Sequence, residues 1–171
     1  MTETGNPTTL GFLLFPGFPM ACLTSAIEPL RAANEIVGRR EFAWTLLAEE
    51  AGPVRSSAEV KFDPDCTLTE VEGLDYLFCL SMPQSNFVHP KRSNAQVRWM
   101  DRSGVVLGGF SGGVFPLVRT GVMGGHVCSV HWCYDAAFKA EFPDIAASQS
   151  VIIRDRRRHT ASGAGAVFDL M

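Results

Sequence analysis

A serine set among glycines, directly after an apolar run, is the strongest chemical signal in this sequence. Gly108 to Gly113 reads GGFSGG and follows Gly104 to Leu107 (GVVL), the pattern of a short buried strand broken by the glycine pair. A strand that turns on small residues straight into a helix has the geometry of a nucleophile elbow. The glycines permit the tight backbone, and the helix start offers N–H groups, here at Gly112 and Gly113, to an anion. Ser111 is open to three readings: a structural turn, a ligand contact or a nucleophile. Glycine-flanked serines are common, and the pattern alone does not choose between them. His131, in Cys128-Ser-Val-His-Trp132, ends a second short strand pattern and should point to the same edge of the sheet. A lone histidine is as readily structural as catalytic. Trp132 reads as half core and half pocket wall, because an indole is large and carries one donor.

Other reactive types are less pointed. Five cysteines, Cys22, Cys66, Cys79, Cys128 and Cys133, lie scattered in apolar surroundings without CxxC or zinc-ligand spacing. They read as reduced, packed thiols, and no metal and no cofactor is expected. Cys128, three positions before His131 in a strand, would face the other way from it. The run Arg154 to Arg158, four arginines and one aspartate, reads as a solvated turn with an anion or partner site as the alternative. Thr160-Ala-Ser162-Gly163 opens a final helix with a capping hydroxyl.

Strands and helices alternate along the chain and would position these groups. Leu10 to Phe15 reads as a buried strand, Met20 to Val37 as a helix with an apolar face on Leu23, Ile27, Leu30 and Ala33, and Phe42 to Ala48 as the next strand. Pro53 to Leu68 suggests a small hairpin, Tyr76 to Leu80 a buried strand, and Asn94 to Arg102 a helix after a loop. Val114 to Thr120 tolerates Pro116 in its first turn. Val127 to His131 and Ser150 to Ile153 read as strands, Tyr134 to Glu141 and Gly163 to Met171 as helices. The expectation is a flavodoxin-like three-layer α/β sandwich, a mostly parallel sheet with helices on both faces and ligands at the strands' carboxyl ends.

Bulk properties bound the rest. The 171 residues fit one domain, 46% are hydrophobic, 19% charged, and the net charge of −3 gives no footprint for a phosphate backbone. The polar start MTETGNPTT is no signal peptide, and no apolar run reaches the roughly 20 residues of a membrane helix, so a cytoplasmic protein is expected.

With these residues in view, the sequence resembles the ThiJ/PfpI domain, related to class I glutamine amidotransferases, of GlxA-type AraC-family transcription regulators. The resemblance is carried by Gly11 to Phe18 (GFLLFPGF), Ala26 to Asn34 (AIEPLRAAN), and Leu107 to Gly113 with Thr120 to Gly125 (TGVMGG) and Ser129 to Trp132. Thr160 to Gly163 and Phe168 to Met171 complete it. It covers almost the whole chain. In the catalytic relatives the elbow carries a cysteine, supported by an acid from the first helix region and followed by a histidine one strand later. Here Ser111 takes the elbow, Cys22 falls at the acid's position, and only His131 is retained. Ser81-Met82 replaces the glycine pair whose N–H would serve an oxyanion. The resemblance implies a sensor without catalysis, binding an amino-acid or quaternary-amine effector and forming a homodimer. Its ligand contacts would be Phe110, Ser111, Gly112, His131, Trp132, Cys22, Met82 and Ser162. DNA would be reached only through a helix-turn-helix domain that is not in this chain, whose last helix reads as cut short. An enzyme with a variant nucleophile, such as a hydrolase or amidase, and a purely structural dimerisation module are the competing readings.

Overall fold

The computed structural model describes residues 5–171; residues 1–4, the first part of the polar N-terminal stretch, lie outside the described residues. Strands β1 (Thr8–Leu14), β2 (Phe42–Ala48), β6 (Tyr76–Ser81), β7 (Val106–Ser111), β10 (Ile152–Asp155), β11 (Arg158–Ala161) and the short β5 (Cys66–Thr67) form one seven-stranded sheet, ordered β10-β11-β7-β6-β1-β2-β5. All neighbours are parallel except the β10–β11 edge. β3 (Val54–Arg55) and β4 (Lys61–Phe62) make the small hairpin expected between residues 53 and 68, and β8 (Val127–Ser129) pairs with β9 (Ala146–Ser148) outside the main sheet.

Apolar strands of this kind must be covered on both faces, because successive side chains point opposite ways. Leu13, Leu77, Cys79 and Leu107 pack with Val97 and Met100 of α2 (Pro90–Arg102), Leu117 of α3 (Val114–Arg119) and Phe138 of α4 (Asp135–Glu141). Their sequence neighbours Phe12, Leu14, Phe78 and Phe110 pack on the other face with Cys22, Leu23 and Leu30 of α1 (Met20–Val37) and Val167 and Leu170 of α5 (Ala164–Leu170). The result is the expected three-layer α/β sandwich.

Several local expectations are corrected. β7 runs through the glycine pair instead of breaking there, since Gly108 leaves room for the stack of Phe78 on Phe110 (centroids 4.5 Å apart) and Gly109 for the start of α3. α2 begins at Pro90, whose missing N–H suits a first helical position. The arginine run is in part the solvated turn expected: Arg156 and Arg157 form an exposed turn and Arg154 is exposed, but Arg158 is buried. It builds the β10–β11 hairpin, and its side chains tie helix ends and a turn: Arg154 donates to Leu170 O, Arg157 to Asp101 O, and Arg158 to Val122 O and the Asp101 carboxylate. Arg158 is only 3% exposed.

Candidate functional site

The elbow forms as the glycine pattern predicts, with its strain carried by the serine. Ser111 is the last residue of β7, pairs with Ser81 of β6, and holds φ at 54°, a left-handed conformation unusual for a residue with a Cβ. The turn is too tight for other side chains. A Cβ on Gly112 would lie 2.4 Å from Ser81 O and 2.8 Å from Met82 Cα, and one on Gly113 would lie 1.8 Å from Cys79 O. Ser111 is 7% exposed and its hydroxyl has no hydrogen-bond partner among the described residues, yet no fully buried side-chain oxygen among them lacks one. The residual exposure therefore includes the hydroxyl oxygen.

Two of the amides near the elbow are engaged. The Met82 N–H donates to Ser85 Oγ (3.2 Å), and the Gly113 N–H closes the turn onto Phe110 O (2.8 Å). Neither amide is free for an oxyanion, which corrects the expectation for Gly113. Cys22, at the position of the supporting acid, is 2% exposed in the cluster that holds Phe110 and Val167; burial pushes its thiol up to about 11. Burial likewise pushes Cys79 and Cys128 up to about 12. These thiols stay protonated near neutral pH and are poor nucleophiles.

His131 lies past the end of β8, not within it, and opens a short 3-10 turn (Trp132–Tyr134). Its Nδ1 accepts the Cys133 N–H (3.2 Å), which leaves the ring proton on Nε2. The ring faces Gly163, where a Cβ would meet His131 Cδ2 at 3.4 Å. Ala161 pairs with Phe110, so Ser162 and Ser111 leave the sheet side by side, and His131 closes over the same edge. Among the described residues no hydrogen bond joins Ser111 to His131, and no carboxylate supports the imidazole. Ser162 does not cap α5; its N–H donates to Val151 O, and Gly163 takes the cap position in extended backbone.

The two expected pocket walls differ in exposure. Phe110 is completely buried in the core, and Trp132 stands 80% exposed, stacked on His131. Sequence reasoning missed Arg119. Its guanidinium donates to Pro83 O, Ser85 O and the Glu141 carboxylate, holding the loop that carries Met82 over the elbow. The available signal was a lone arginine ending the apolar helix that follows the elbow. No group of three or more histidine, cysteine or carboxylate side chains suited to a metal occurs among the described residues, and none of their helices is long and apolar enough to cross a membrane.

No family model matches the chain. It is 33% identical over 99% of its length to the HTH-type transcriptional regulator GbdR of Pseudomonas aeruginosa, covering 46% of that protein. It is 34% identical over 94% of its length to the HTH-type regulator CdhR of the same species, covering 47%, and 29% identical to GlxA of Rhizobium meliloti, covering 53%. The chain thus spans about half the length of these relatives. Among solved structures, an AraC family transcriptional regulator from Pseudomonas putida matches with a TM-score of 0.83 at 24% identity, over 96% of this chain and 88% of that one. A ThiJ/PfpI family protein from Pseudomonas syringae matches at 0.74 and 20%, over 99% and 72%. The chain therefore has the ThiJ/PfpI fold and is homologous, over nearly its whole length, to HTH-type transcriptional regulators.

Proposed function

We propose that the chain is the effector-sensing and dimerising part of an AraC-type transcription regulator, and that it binds its effector without transforming it. The effector is a small amphoteric metabolite, an amino acid or a quaternary amine, held at the carboxyl ends of the strands around Ser111, Gly112, Met82, His131 and Ser162. DNA is contacted by another domain of the longer protein. The observation that carries this reading is the state of the elbow: its strained turn persists, while the Met82 and Gly113 amides are engaged and a buried thiol, Cys22, stands where the resemblance implies an acid. A serine without a base within hydrogen-bond reach is a weak nucleophile, and proton-transfer help of that kind is worth roughly 10²–10⁴-fold. The relatives named as HTH-type regulators support the regulatory role.

The test is a thermal-shift screen of the purified chain against amino acids, betaines and small amines. At about 100 times its Kd a ligand adds about 2.7 kcal/mol to the folded state. A shift that His131→Ala or Ser111→Trp removes supports the reading. No shift from any compound, with the protein folded, overturns it.

A further inference from the structure

Two segments distant in sequence flank the elbow. Ser111 ends β7, which has β6 on one side and β11 on the other. On the β6 side, the loop after the strand lays Met82 over Gly112, where a Cβ would lie 2.7 Å from Met82 C. On the β11 side, His131 closes against Gly163. The Met82 loop and the His131 turn are therefore the two walls of the site.

Neither wall is held by much packing of its own. Between the buried Ser81 and Phe87 the loop buries no residue. From His131 through α4 to Glu141, only Phe138 is buried. Segments so thinly anchored open locally at low cost unless something else ties them down. Among the described residues no hydrogen bond joins the loop directly to the turn or to α4; the connection runs through Arg119.

Arg119 ends α3, the helix that starts directly after the elbow. Its Nη1 donates to Ser85 O (2.7 Å) and its Nη2 to Pro83 O (2.9 Å), both in the loop. Its Nε and Nη2 also donate to the two Glu141 oxygens, at 2.7 and 2.9 Å, at the far end of α4. The guanidinium lies 5.7 Å from the ring centroids of both Phe115 and Phe142. A forked pair of this kind fixes orientation as well as distance, and all three nitrogens are engaged.

We propose that Arg119 and Glu141 form a latch that couples the two walls of the elbow site, so that the Met82 loop and the His131 turn open and close together. Arg119 is a positioning residue: it touches neither Ser111 nor His131 but sets the walls that flank them. That these walls enclose an effector rests on the sensing role proposed above; the coupling between them is a property of the free chain.

Amide hydrogen exchange of the purified chain, followed residue by residue by NMR, tests the latch. The reporters are Met82 and Ser85 in the loop and Cys133 and Tyr134 in the turn, whose N–H groups are all hydrogen-bonded. Glu141→Gln removes the charge of the pair but leaves both loop carbonyls to Arg119. It is expected to speed exchange about fivefold or more at the turn and also at the loop. Arg119→Lys, which keeps the charge and loses the fork, should do the same. Lys139→Gln, which breaks only an exposed pair with Asp135 in the same helix, should change neither wall. Phe78 and Leu80 in β6 report opening of the whole fold and are expected to keep their rates. Acceleration confined to one wall, or none at either, overturns the latch. Equal acceleration at Phe78 and Leu80 also overturns it, because the pair then serves overall stability. Since no ligand is present, each of these failures leaves the sensing role to the thermal-shift screen.

Discussion

Ser111 and Gly113 sit two residues apart in the elbow and should respond to substitution in opposite directions. A left-handed residue with a Cβ carries about 1–2 kcal/mol of strain, so Ser111→Gly is expected to raise stability by about 1 kcal/mol in urea denaturation. Gly113→Ala would drive a Cβ to 1.8 Å from the Cys79 carbonyl, a backbone atom of the central strand β6 that cannot step aside. The expected cost is about 3 kcal/mol or more. Four of the five thiols divide as sharply. Cys133 is exposed and should label with a maleimide in the folded protein, whereas Cys22, Cys79 and Cys128 should label only on unfolding. Because burial raises those three above their unfolded value, their stabilising contribution is complete below about pH 8.5 and declines as pH rises from there toward 11 and 12. Melting temperatures between pH 8 and 11 should therefore fall, and Cys79→Ala, despite its cavity, should flatten the fall.

Among the elements, the β10–β11 hairpin was the least legible in sequence. Its charges looked solvated because nothing local says that Arg158 folds inward to the Asp101 carboxylate at the end of α2. That partner lies 57 positions away. Breaking a buried pair strands the remaining charge, so Asp101→Ala should cost about 3 kcal/mol, read as a lower urea midpoint. By contrast Arg31→Ala, which removes only exposed pairs with Glu28 and Glu35, should leave the midpoint unchanged. Strands β1, β6 and β7 were legible because runs such as YLFCL have to be covered on both faces, and α1 because its apolar spacing ends at a left-handed Gly38. The elbow was legible for its glycines. The fates of its amides were not, since the Met82 bond to Ser85 Oγ depends on how a loop closes. Phe110 is buried because it points to the α1 and α5 side of the sheet, and Trp132 is exposed because it lies in the 3-10 turn past β8, where strand periodicity no longer applies.

At the scale of the whole molecule, the ThiJ/PfpI fold occurs in a chain whose relatives are named as regulators. Amides that could stabilise an oxyanion close turns, and the arginine after the elbow steadies a loop. What remains open at the carboxyl edge is the Ser111 hydroxyl. Binding without turnover is the claim that joins these features. It is tested most directly by incubating the purified chain with a ligand that shifts its melting, at saturation and over hours, and recovering the small molecule by mass spectrometry. The account predicts that the ligand is recovered chemically unchanged in full, while the protein's stability stays raised. Conversion of the ligand with time, abolished by Ser111→Ala or Cys133→Ser, would contradict it and return the fold to its enzymes.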